Sequence, residues 1–120
     1  MASRFLNTIT IILCFSFITF SQTVTVKIIE TSDVHGAIFP YDLKDNKETS
    51  NSLARVTTFL KEQRTDTNQI VFLLDNGDIL QGDPVVYYYN FEKTDTIHLY
   101  ANVMNFMRYD AATIGNHDIE

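Results

Sequence analysis

Two periods of apolar spacing divide this chain after its first two dozen residues. Residues 24–30 (VTVKIIE) are short and rich in β-branched side chains, which predicts a strand running directly into TSDVHG. A polar stretch, 41–50, follows and reads as a surface loop. Leu53, Val56, Phe59 and Leu60 then recur at helical steps, with Asn51 or Ser52 placed to cap them, so a helix is predicted over 53–63. The run IVFLL at 70–74 is continuously apolar, as in a strand buried on both faces, and ends in DNGD. Ile97, Tyr100, Val103, Met104 and Met107 mark a second helix capped by Asp95 or Thr96. A short third strand, 111–114, leads into GNHD.

Strand, helix, strand, helix, strand is the order of parallel βαβ units, an α/β architecture of βαβαβ form. Ligands of such sheets gather beyond the carboxyl ends of the strands. All three polar clusters sit at those ends. Adjacent strands lie about 4.8 Å apart, so their loops can converge although the residues are 38 to 45 positions apart. No internal repeat or low-complexity segment interrupts the pattern.

The segment before the first strand differs in kind. Arg4 is the only charge ahead of Lys27, and the apolar run 9–20 ends in small and polar residues, the layout of a signal peptide with cleavage after Ser21. As a membrane anchor the run is short of the roughly 20 residues a span needs, and hydroxyl residues interrupt it. Residues 1–21 are therefore expected to be a signal peptide and 22–120 an exported, periplasmic or secreted, domain with no stable membrane span. Cleavage would remove Cys14, the single cysteine, leaving neither disulfides nor thiolate ligands. It would also leave eight basic against fifteen acidic residues, a net charge of −7. That excludes a nucleic-acid-coating surface but not a phosphate-bearing substrate, because cations held among carboxylates reverse the local field.

Asp33 and His35, one residue apart, can aim a carboxylate oxygen and an imidazole nitrogen at one ion. Asp78 follows Gly77, where the chain can bend tightly, and its carboxylate can bridge two ions. Asn116 offers a neutral carbonyl, with His117 beside it. Such donors suit two divalent ions, Mn, Zn, Fe, Co or Mg, without selecting among them. A pair about 3.5 to 4 Å apart clamps a phosphoryl group and lowers the pKa of a shared water, and His117 would supply the proton to the leaving oxygen. Taken singly, DxH, GD and GNHD occur in many ordinary strand-end turns. Their joint occurrence in this order carries the argument.

DVHG, DNGD and GNHD resemble the successive signature blocks of the calcineurin-like metallophosphoesterases. SLAR at 52–55, DNGDILQGDP at 75–84 and the run from His98 through MNFMRYDAATIGNHD, 98–118, resemble the bifunctional 5′-nucleotidase and 2′,3′-cyclic-nucleotide 2′-phosphodiesterase branch. The resemblance implies Asp33 and His35 on one metal, Asp78 bridging, Asn116 on the second and His117 assisting the transition state. It makes Glu120 the supporter of His117, with Asp118 as an alternative orienter or a local structural residue. It also implies the βαβαβ start of a sheet-sandwich domain, incomplete at the C-terminus. Further histidine ligands and an aromatic pair that stacks the nucleobase would lie in a missing C-terminal part of the chain. His98 is expected to have a surface or packing role, and the aromatic run 87–89 beside Val85 and Val86 to serve packing.

The expected activity is metal-dependent hydrolysis of nucleotide phosphoesters, the substrate a small nucleotide, with this stretch inactive alone. A related branch acting on sulfur esters, or a non-catalytic metal-binding domain, are the alternatives. His117 argues against the last.

Overall fold

In the computed structural model the described residues are 23–119. The expected signal segment 1–21 and Glu120 lie outside them. β1 (Thr25–Thr31) opens the described chain. Within the expected loop, β2 (Tyr41–Asp42) and β3 (Lys47–Glu48) form a small antiparallel hairpin. Its turn is held by the Asp42 carboxylate, which accepts from the Lys44 and Asp45 amides, and by Asn46 in the left-handed region.

α1 (Leu53–Gln63) starts where Ser52, not Asn51, takes the cap and accepts from the Arg55 amide. Its C-terminal residue Arg64 reaches across to donate to the Met107 and Arg108 carbonyls, joining two helix ends. β4 (Gln69–Asp75) lies parallel to β1, from Thr25 beside Gln69 to Thr31 beside Asp75.

After β4 the chain forms a short helix, α2 (Pro84–Tyr87), that the periodicity does not announce. Asp83 caps it through the Val85 amide, and Pro84 occupies the first turn, where no N–H is needed. It runs on into a π-helical turn over Tyr88–Glu92, closed by the Lys93 amide on the Tyr88 carbonyl. α3 (Leu99–Met107) starts later than expected, because its cap is His98 rather than Asp95 or Thr96, and Ile97 stays outside and exposed. β5 (Ala111–Ala112) is shorter than expected, since it pairs only with the last two residues of β4. The three parallel strands stand in the order β1, β4, β5.

One face of the sheet carries the core. Leu73 is fully buried, and Leu53, Leu60, Val86, Tyr100 and Met107 close over it together with Ile38. The other face carries Val26, Ile28, Ile70 and Phe72, all exposed. Of the aromatic run only Val86 ahead of it is buried, while Tyr87 and Tyr88 are exposed, so packing accounts for less of that run than expected. Among the described residues no helix is long and apolar enough to cross a membrane.

Candidate metal centre

Parallel pairing carries the ends of β1, β4 and β5 to the same edge, and the chain bends sharply at each exit. Asp33, His35 and Asp78 take φ values of 52°, 47° and 60°, a left-handed conformation that aspartate and histidine tolerate better than most residues. Cross-loop hydrogen bonds hold the bends: the Asp33 amide donates to the Gly77 carbonyl, and the His35 amide to the Asp78 carbonyl. Asp75, buried at the end of β4, accepts from the Thr31 hydroxyl and from the Gly77 amide, tying the two exits together.

These bends bring Asp33, His35 and Asp78 together, with one donor atom of each within 4.8 Å of the others. His35 Nε2 faces Asp33 Oδ1 at 4.0 Å, while its Nδ1 sits 2.9 Å from the Gln81 carbonyl. A carbonyl only accepts, so in the neutral ring Nδ1 carries the proton and Nε2 keeps its lone pair. The second oxygen of Asp33 accepts from the Ser32 hydroxyl.

Asn116 and His117 open a 3-10 turn, Asn116–Asp118, with Asn116 exposed. The His117 amide donates to Asp78 Oδ1 at 2.9 Å, and the His117 ring meets the His35 ring edge-on, centroids 5.4 Å apart. Asp118 does more than local turn chemistry. Its Oδ2 accepts from the Asp78 and Gly115 amides and its Oδ1 from the Ile79 and Leu80 amides, all between 2.7 and 2.9 Å. Burial acts to raise this carboxyl, yet the donors of Gly115, Leu80, Asp78 and Ile79 together hold it below the usual carboxylate range. Four donors occupy all the acceptor sites a carboxylate offers, so Asp118 welds the β4 and β5 loops together.

Two contributors escaped the sequence reading, and a third, Asp118, is expected there only as an alternative orienter of His117 or a local structural residue. Gln81 acts through its carbonyl, which no side-chain pattern reports. Asp75 could have been noticed as the first acid of DNGD at a strand end. The fourfold role of Asp118 joins it to residues 38 to 40 positions away.

No family model matches the chain. The trifunctional nucleotide phosphoesterase protein YfkN of Bacillus subtilis is 37% identical over 102 residues, which are 79% of this chain and 7% of that protein. The crystal structure of calcineurin-like phosphoesterase YfkN from Bacillus subtilis matches with a TM-score of 0.69 at 36% identity, covering 80% of this chain and 30% of the solved one. The chain belongs to the calcineurin-like phosphoesterases. A 2′,3′-cyclic-nucleotide 2′-phosphodiesterase/3′-nucleotidase of Yersinia enterocolitica is 32% identical over 101 residues, 82% of this chain and 15% of that one. This calcineurin-like chain thus spans a small fraction of the length of the curated relatives it matches.

Proposed function

We propose that the chain is the metal-binding N-terminal part of an exported hydrolase of nucleotide phosphoesters, acting as a 5′-nucleotidase, a 2′,3′-cyclic-nucleotide phosphodiesterase, or both. The observation that carries this reading is the Asp33–His35 pair: a carboxylate oxygen and an imidazole lone pair held face to face at 4.0 Å, with Asp78 alongside. Acceptors so placed repel unless a cation lies between them, and a ligating histidine whose other nitrogen donates to a backbone carbonyl is the usual supporting arrangement. The donor set therefore fits a divalent ion.

Asp33 and His35 would hold one ion, Asp78 would bridge to a second, and Asn116 would serve the second. When bound, divalent ions would supply polarisation of a phosphoryl oxygen and a lowered pKa of water. His117, held beside Asp78 by its amide, would hand a proton to the leaving oxygen, and Glu120, outside the described residues, is kept as its supporting acid. The names of the Bacillus and Yersinia relatives favour nucleotides over sulfur esters as the substrate class. Four protein ligands shared between two ions leave both short of donors, so residues 22–120 alone bind metal weakly and turn over poorly.

The test is metal analysis beside kinetics in the full-length gene product. Asp78→Asn is expected to lower both metal content and turnover, whereas His117→Asn spares the metal and lowers turnover by about a hundredfold or more. An emptied site in His117→Asn with intact activity in Asp78→Asn would reverse the roles. Assays on AMP, 2′,3′-cyclic AMP and a sulfate ester separate the substrate classes, and hydrolysis of the sulfate ester alone would replace this reading with the sulfur branch.

A further inference from the structure

His98 lies at the start of α3, outside the metal centre, and both of its ring nitrogens are used. Nδ1 accepts from the Tyr100 amide at 3.1 Å, so it carries no proton. Nε2 must then be the N–H, and it donates to Asn90 Oδ1 at 2.9 Å. The Asn90 amide group in turn donates to the Leu80 carbonyl at 2.7 Å, and the Leu80 amide donates to Asp118 Oδ1. A continuous chain of hydrogen bonds thus runs from the helix cap through the π-helical turn into the loop that carries Asp78.

We propose that His98, as the neutral Nε2–H tautomer, is a positioning residue that holds the 78–81 loop through Asn90. The loop so held supplies the Gln81 carbonyl that orients His35 and the backbone around Asp78. Only the identity of what the loop holds rests on the metal reading above. His98 shares a groove of about 770 Å³ with His117 and Asp118, but its Nε2 is spent on Asn90 and makes no claim on a substrate. The titratable groups facing it are Tyr89 and Tyr100, whose rings touch its own, and His117 and Asp118 across the groove. Burial lowers the proton affinity of the ring, which favours the neutral form that the relay needs.

Two variants separate this role from simple helix capping. His98→Asn keeps a good N-cap, since asparagine accepts from the same amide, but its shorter side chain cannot bridge to Asn90. Asn90→Ala leaves the cap untouched and breaks the next link. In the full 120-residue chain, metal-free, the Leu80 amide should lose protection from hydrogen exchange about tenfold in each variant, the worth of one net hydrogen bond. The double variant should lose no more than either single one, because both cut the same chain. Amides inside α3 should keep their protection. In the wild type Leu80 protection should also fall as the pH drops below about 6.5 and the ring protonates, and in His98→Asn it should not. Mn²⁺ affinity should drop about tenfold in both variants. Unchanged Leu80 protection in both would overturn the positioning role even if the wild type binds Mn²⁺ tightly. Lost protection in the variants, with a full-length gene product that binds no Mn²⁺, would uphold it and overturn the metal reading instead.

Discussion

Gly77 and Gly115 set how closely the two inner loops of the centre approach. Gly77 takes φ +90°, and a Cβ there would overlap the Gly115 amide; a Cβ on Gly115 would overlap Asp78 Oδ1. At Gly77 the fit is backbone against backbone, so it cannot relax by turning a side chain. Gly77→Ala should therefore cost about 1–3 kcal/mol in urea unfolding, from left-handed strain and displacement together. A loss below a few tenths would show that the loops do not interlock. Asp118 acts at the same seam from the other side. Asp118→Asn replaces one acceptor oxygen by a donor that faces two amides, and it should cost about 2 kcal/mol while leaving the helices intact by circular dichroism. Three of the five non-glycine residues in the left-handed region among the described residues, Asp33, His35 and Asp78, are also the three clustered donors, so backbone strain gathers where the chemistry is proposed.

Among the elements, α3 and the strand ends are joined by two phenols, Tyr100 buried and Tyr109 half-buried. Burial, foremost, pushes the Tyr100 phenol well above its ordinary range, and it raises Tyr109 as well, against the Thr31 hydroxyl that meets it at 2.8 Å. A phenol raised on folding stabilises the native state fully below its unfolded value of about 10, and that contribution disappears as pH rises toward the folded value. Alkaline unfolding should begin above about pH 10, with tyrosinate absorbance rising together with the loss of helix signal. Tyr100→Phe should move that transition to higher pH, and an unmoved transition would assign the sensitivity elsewhere. The elements that could be read in advance are those with local causes. α1 was legible end to end because its apolar spacing and Ser52 cap are contained in it, and β4 because its apolar run is continuous. The start of α3 was misplaced because imidazole is a rare cap, recognisable only once its second nitrogen is seen on Asn90. α2 was missed although Asp83 and Pro84 signal it, since they were read as part of a motif block. In the site, Asp33, His35 and Asp78 were legible as polar residues at strand ends. The contacts that hold them, made by the Gln81 carbonyl and the carboxylates of Asp75 and Asp118, run mostly between loops and leave no periodic trace.

At the largest scale, the sheet is covered on one side only among the described residues. Val26 stands beside Ile70 and Ile28 beside Phe72 in the parallel register, and these four side chains are 54%, 50%, 65% and 41% exposed. They form one contiguous apolar strip across two strands, with β1 as an open edge, a combination that favours association in water. The opposite face, centred on Leu73, holds the fold. Substitutions on the two faces should therefore separate stability from solubility. Leu73→Ala opens a cavity in the core and should cost about 2–5 kcal/mol by urea unfolding. Ile28→Lys with Phe72→Thr should change stability by about 0.5 kcal/mol or less, yet shift the chain from associated species toward monomer in sedimentation velocity at about 100 μM. The strip matters through its exposure, so the second result should persist in high salt, which screens charge but not apolar contact. A wild-type chain that sediments as a monomer under the same conditions would mean that the strip is harmless as it stands. Monomer formation caused by Leu73→Ala instead would place the associating surface on the helical side.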